Sequence, residues 1–156
     1  MQDPRKRQPP GKRRHVQPKR LYNEFMDTCI FCKIAQGKAP SYRVYEDEYF
    51  VGFLDIFPIS KGHTVLVPKK HYRWTYDVEN FGAYWEAAKI VAAQIQKALG
   101  APWLQFATHG QIPHAHIHVI PRYDNVETAP QVANGGKPLA FSKEELAQIH
   151  KTIVGI

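Results

Sequence analysis

Apolar positions between residues 80 and 100 recur in steps of three and four, with Phe81, Tyr84, Trp85, Ala88, Val91, Ala92, Ile95 and Leu99 on one face. That period predicts a long amphipathic helix from about Asn80 to Leu99, ended by Gly100 and Pro102. Elsewhere the pattern suits strands. Ser41–Glu46 and Tyr49–Leu54 flank a polar Asp47-Glu48 turn, and Thr64–Pro68 is a β-branched run that follows a loop marked by Pro58 and Gly62. Trp103–Thr108 and His114–Pro121 complete the predicted strands. A short helix is expected over Cys29–Gln36, closed by Gly37 and followed by Pro40. Ser142-x-x-Glu145 is a capping box that opens a last helix of about Lys143–Val154. Strands and helices are interspersed without internal repeats, and neighbouring strands lie close enough for hairpins. The expected fold is therefore α+β: a mainly antiparallel sheet with one long, one short N-terminal and one C-terminal helix.

Length and charge refine this picture. The chain's 156 residues suit one domain with one sizeable core. No apolar run approaches the roughly 20 residues that cross a bilayer, and no apolar segment follows the basic N-terminus as in a secretory signal. The expected location is cytoplasmic, with no membrane partner. The formal charge of +7 looks like a nucleic-acid signal until it is located. Residues 1–20 carry eight Lys or Arg against Asp3 alone, and residues 21–156 carry 13 charges of each sign. The basicity belongs to the first 20 residues, which also hold four prolines and, between Gln2 and Arg20, Val16 as their only strongly apolar side chain. Such a segment buries too little surface to offset its ordering entropy, so residues 1–20 are expected to be a disordered tail and residues 21–156 the domain. The tail is either plainly solvated or a weak electrostatic arm for nucleic acid or another acidic partner.

Two features carry chemistry. Cys29 and Cys32 are the only cysteines, spaced C-x-x-C. In a reducing compartment this spacing reads as half a metal site or as a redox pair. Residues 114–120 read His-Ala-His-Ile-His-Val-Ile. On a strand, His114, His116 and His118 share one face about 6–7 Å apart, while Ala115, Ile117 and Val119 face a core. A polar surface row or a set of metal ligands is the plain alternative. The chemical alternative is phosphoryl transfer. Neutral imidazole attacks phosphorus if its other nitrogen is fixed by an acceptor, and flanking imidazoles donate to the phosphoryl oxygens.

With these residues the chain resembles the histidine triad hydrolases. Cys29-Ile-Phe-Cys-Lys-Ile, Val44-Tyr-Glu-Asp, Phe53-Leu-Asp-Ile, Lys61 through His71, and His114 through Arg122 are similar to successive blocks of that family, in the usual order. The look is closest to its bacterial Hint-like branch. The resemblance implies a nucleotide hydrolase that cleaves nucleoside phosphoramidates or dinucleoside polyphosphates at the α-phosphate, with a purine nucleotide as substrate. It makes His116 the nucleophile, which forms a nucleotidyl-histidine intermediate, and places His118 and His63 at the phosphate. It puts Asp55 at the ribose hydroxyls and Phe53 and Ile56 at the base. A turn residue at Asp55 and plain core at Phe53 and Ile56 are the ordinary readings of those positions. The resemblance also implies structural zinc on Cys29, Cys32, His71 and His114, a donor set that suits closed tetrahedral coordination, and a homodimer paired through the long helix and an edge strand.

The chain departs from the family in the loop before the triad, Thr108-His-Gly-Gln-Ile-Pro113, which is several residues short. No serine or threonine lies within the five residues before His114; Gln111 is the candidate phosphate contact there, and His109 is an extra histidine. Two other functions stay open. One is a nucleotidyl transferase or phosphorylase, although Ala115 stands where the uridylyltransferase relatives carry proline. The other is a non-enzymatic nucleotide- or RNA-binding module directed by the tail.

Overall fold

The computed structural model describes residues 27–124 and 137–156. The basic segment 1–20 and the first residues of the expected domain, 21–26, lie outside the described residues. In chain order the elements are α1 (Ile30–Ala35), β1 (Arg43–Glu46), β2 (Phe50–Leu54), β3 (Thr64–Pro68), a single 3-10 turn at Thr75–Asp77, α2 (Phe81–Leu99), β4 (Trp103–Ala107), β5 (Ile117–Arg122) and α3 (Lys143–Val154). The strands form one antiparallel sheet in the order β1-β2-β3-β5-β4. This is the α+β architecture that the pattern predicts.

The sheet is covered on both faces. Leu66, Ile117 and Val119 pack with Tyr84, Ala88, Val91 and Ile95 of α2 and with Leu146, Ile149 and Ile153 of α3. Val51, Phe53, Val65 and Val67 point the other way, onto Cys29, Phe31, Cys32 and Ile34 around α1. Every residue of β2 and β3 is buried, which is why both segments read as continuous apolar runs. The Tyr84 hydroxyl donates to the Leu66 carbonyl at 2.7 Å, a buried tie between α2 and the middle of the sheet. At the start of α3 the capping box forms: Glu145 N–H donates to Ser142 Oγ at 3.1 Å, and Ser142 N–H donates to Glu145 Oε2 at 2.7 Å. Among the described residues no helix is long and apolar enough to cross a membrane.

Three expectations need correction. Several elements are one or two residues shorter than their patterns; the short helix, for example, keeps Cys29 only as its cap. On α2, Phe81 is 46% exposed and only edges against Trp85, while Ala87 is buried in its place. The expected strand over His114–Pro121 begins at Ile117 and runs to Arg122. Ahead of it, His114 N–H donates back to the Ile112 carbonyl at 2.8 Å and Ala115 N–H donates to the Tyr72 carbonyl at 2.7 Å. The backbone of His114 and Ala115 is thus held by loops instead of a neighbouring strand. The alternation survives, since Ala115, Ile117 and Val119 all join the α2 side of the core.

Candidate functional site

Strand register assembles the site. Leu54 pairs with Thr64, so one step further Asp55 lies opposite His63, and Asp55 N–H donates to the His63 carbonyl at 2.9 Å. Val65 pairs with His118, which places His63, two residues back on the same side of the sheet, diagonally beside His118. On the other flank Ala107 pairs with His118. Continuing that antiparallel register by two residues sets His109 opposite His116. A row of polar side chains, Asp55, His63, His118, His116 and His109, therefore crosses one end of the sheet.

Hydrogen bonds fix the proton on each buried ring. His116 Nδ1 lies 2.6 Å from the His114 carbonyl oxygen, which only accepts, so Nδ1 carries the proton and Nε2 the lone pair. His63 Nδ1 accepts from Ile59 N–H at 3.2 Å, so its proton sits on Nε2, which lies 2.9 Å from His118 Nδ1. His118 Nδ1 is then an acceptor and its proton is on Nε2. That Nε2–H is fully buried with no hydrogen-bond partner among the described residues, on a side chain that is itself nine-tenths buried. An orphaned buried donor is costly unless a ligand satisfies it.

Burial holds these rings neutral. It pushes His116 below the usual imidazole range, against its hydrogen bond to the His114 carbonyl and the nearby Asp55 carboxylate, and the proximity of His109 and Arg73 lowers it further. His63 and His118 are likewise pushed down, mainly by burial; the Asp55 carboxylate, with Oδ2 3.8 Å from each, opposes the shift at His63 as it does at His116. Asp55 Oδ1 accepts from Phe57 N–H at 2.9 Å, leaving Oδ2 turned toward the histidines. Phe53 is buried with its ring 5.6 Å from Phe31, whereas Ile56 and its neighbour Phe57 are two-thirds exposed. Gln111 is exposed in the loop before the triad.

A second cluster sits behind the first. Cys29, Cys32, His71 and His114 bring their Sγ and ring nitrogens within 4.8 Å of one another. Cys29 Sγ and Cys32 Sγ each lie 3.4 Å from His114 Nδ1, and Cys32 Sγ is 3.2 Å from His71 Nδ1. Tetrahedral zinc with ordinary Zn–S and Zn–N bonds leaves about 3.5 Å between such atoms. His114 Nε2–H donates to the Pro68 carbonyl at 2.8 Å, which frees Nδ1 to face the sulfurs and orients the ring as metal-bound imidazoles usually are. Burial and Cys29 push the Cys32 thiol up to about 12, and burial pushes His114 down to about 4. Two buried sulfurs and two neutral imidazoles are a donor set that fits a divalent metal, whose charge deprotonates coordinating thiols. Asp55, His63 and His118 also cluster, but the 2.9 Å hydrogen bond between the two rings already uses the nitrogens that a metal would need.

Sequence reasoning missed three residues here. The Phe31 ring lies 5.4 Å from that of His116 and 5.9 Å from that of His114, walling the triad from below. Arg73 stacks 3.8 Å over Trp74 and donates to the Gly110 carbonyl at 3.2 Å, pinning the short loop. Gly110 has no room for a side chain, because a Cβ there would lie 2.5 Å from the Trp74 ring. Arg73 and Gly110 belong to no motif, and Phe31, although it lies within the Cys29-x-x-Cys32 block, carries no signal of its own, so only the fold brings the three to the site.

Comparison with known proteins agrees with this geometry. A family model described as "HIT domain" matches residues 36–125, and the chain belongs to that family. "Protein hit" of Bacillus subtilis is 39% identical over 105 residues, 62% of this chain and 72% of that one. Adenosine 5′-monophosphoramidase HNT1 of Saccharomyces cerevisiae is 31% identical over 102 residues, 62% of this chain and 63% of that one. Among solved structures, a hypothetical histidine triad nucleotide-binding protein from Sulfolobus tokodaii superposes with a TM-score of 0.69 at 31% identity, covering 81% of this chain and 90% of that one. A Zn-bound histidine triad family protein from Mycobacterium smegmatis does so with a TM-score of 0.63 at 27% identity, covering 83% and 96%.

The buried imidazoles make stability depend on pH. In the unfolded chain they protonate near pH 6.5, while burial lowers His63, His116 and His118 in the fold. Below about pH 6.5 the unfolded chain therefore binds more protons, and stability falls as pH falls. Thermal melts from pH 7.5 to 4.5 should show Tm dropping below about pH 6.5, less steeply in His63→Asn. A flat profile contradicts the assignment of neutral buried rings.

Proposed function

We propose that this protein is a nucleotide hydrolase that cleaves purine nucleoside phosphoramidates or dinucleoside polyphosphates at the α-phosphorus, through a nucleotidyl intermediate on His116. The observation that carries this reading is the 2.6 Å bond from His116 Nδ1–H to the His114 carbonyl, which leaves the Nε2 lone pair free to attack. The orphaned Nε2–H of His118 supplies a hydrogen bond to a phosphoryl oxygen, and His63 holds His118 in the tautomer that donates. Asp55 Oδ2 is the carboxylate oxygen left for ribose hydroxyls, and Gln111 is the loop's amide contact. Ile56 offers exposed apolar surface to a base beside Asp55, and Phe53 is the buried apolar residue on the other side of Leu54. Family membership and the activity in the name of the yeast relative support the same class of chemistry.

In this reading Cys29, Cys32, His71 and His114 hold a structural zinc. When bound, the metal supplies a rigid cross-link between α1, the loop after β3 and the start of the triad. The Zn-bound Mycobacterium smegmatis relative supports the assignment. A homodimer is the proposed assembly, with β4 at the sheet edge and its exposed Phe106 available for pairing.

Two experiments test these assignments. His116→Asn should lower kcat/KM for adenosine 5′-phosphoramidate and diadenosine tetraphosphate by about 10⁴-fold or more while the melting curve stays near that of the wild type. Retention of turnover by the variant would remove His116 from the role of nucleophile. Elemental analysis should find close to one zinc per chain in the wild type and little in Cys32→Ser, with Tm falling in the variant as it does on chelation of the wild type. A wild-type stoichiometry near zero defeats the zinc assignment.

A further inference from the structure

His109 is the one histidine of the site with no place in the reaction so far. Its ring stacks on His118, with centroids 4.4 Å apart and planes 21° from parallel, and meets His116 edge-on at 4.9 Å. Neither of its nitrogens has a hydrogen-bond partner among the described residues, and the residue is exposed. One ring nitrogen from each of His109, His116 and His118 lies within 4.8 Å of the others. A metal is a poor occupant of that trio. Stacked imidazoles aim their in-plane lone pairs in nearly parallel directions that do not converge on one ion, and the outward nitrogen of His118 already carries a proton.

Building on the proposed nucleotidyl transfer, we infer that His109 is a catalytic residue that protonates the leaving atom and then serves as the base for the attacking water. Three observations carry the assignment. The first is reach. In an in-line displacement the leaving atom stands about 5 Å from the attacking nitrogen, one bond beyond the near-attack distance. A ring nitrogen of His109 lies within 4.8 Å of one of His116, about as far from the attacking ring as the leaving atom stands.

The second is elimination within the cluster. His116 spends its lone pair on phosphorus. His63 and His114 have both ring nitrogens engaged. His118 holds a single proton on a buried neutral ring, and giving it away would leave an imidazolate. The third is the composition of the loop. From Gly110 to Pro113 it offers no hydroxyl or ionisable side chain, so His109 is the loop's proton carrier.

In the first step the Nε2 lone pair of His116 forms the N–P bond, the bond from phosphorus to the leaving atom breaks, and that atom takes its electron pair and the His109 proton. In the second step neutral His109 accepts a proton from water as the water oxygen bonds to phosphorus. The N–P pair returns to His116, and His109 is again the acid. The sum is hydrolysis, with no other reactant.

The test compares two AMP derivatives that differ only in the leaving group. An N-alkyl adenosine 5′-phosphoramidate must gain one proton at nitrogen to release a neutral amine, whereas the 4-nitrophenyl ester of AMP releases a stable anion. His109→Gln keeps a hydrogen-bond donor and removes the transferable proton. Its loss in kcat/KM on the phosphoramidate should exceed its loss on the nitrophenyl ester by about 100-fold or more, with an unchanged melting curve. Equal losses on both substrates, or no loss on either, overturn the assignment of His109 while leaving His116 in place. His116→Asn serves as the separate control: turnover that survives in it, or a wild type that cleaves neither compound, overturns the nucleotidyl-transfer reading itself and His109's role with it.

Discussion

The hydrogen bond from His116 Nδ1 to the carbonyl of His114 is the constraint on which the site depends. Without it either nitrogen of the ring could hold the proton, and the outward one would carry a lone pair only part of the time. The bond joins residues two apart, so its geometry is set by the local path of the chain between Ile112 and Ile117. That path is set in turn by two backbone hydrogen bonds to loops, His114 to Ile112 and Ala115 to Tyr72. The triad therefore begins outside the regular strand, where a carbonyl that would otherwise belong to a sheet ladder is free to accept from a side chain.

The cluster of Cys29, Cys32, His71 and His114 bears on the same carbonyl. His114 is gripped at both ring nitrogens, by Pro68 on one side and the sulfurs on the other, and its backbone oxygen is the acceptor for His116. Phe31, in the helix capped by Cys29, packs against both rings. A metal at that cluster would act on the reaction only through position, by holding the acceptor still. On the opposite flank His63 fixes the tautomer of His118 by the same logic, with Ile59 N–H as the anchor. Both chains of hydrogen bonds end on backbone groups, which cannot change their roles with pH as side chains can.

Much of this was legible in the sequence because it is periodic or closely spaced. The 3.6-residue pattern located α2, the Ser142 and Glu145 pair located the start of α3, and alternation around the triad placed Ala115, Ile117 and Val119 in the core. The C-x-x-C spacing pointed to a metal or a redox pair, the resemblance added His71 and His114, and the fold brings the four side chains together. The rest depended on tertiary contacts. Phe81 fits the helical period yet is exposed at the first turn of α2, with its ring edge-on to that of Trp85. The strand start at Ile117 follows from hydrogen bonds to Tyr72 and Ile112, which no local pattern announces. His109 could not be assigned from a shortened loop, although the register of β4 against β5 sets it opposite His116 once the pairing is known.

The central claim is a statement about where protons sit, and long-range nitrogen–proton correlation spectra of the uniformly ¹⁵N-labelled protein near pH 7 read that directly. The account predicts that His116 is neutral with its proton on Nδ1, and that His63 and His118 are neutral with theirs on Nε2. A His116 that carries its proton on Nε2, or that is charged at that pH, would contradict it, because the lone pair assigned to the attack on phosphorus would not exist.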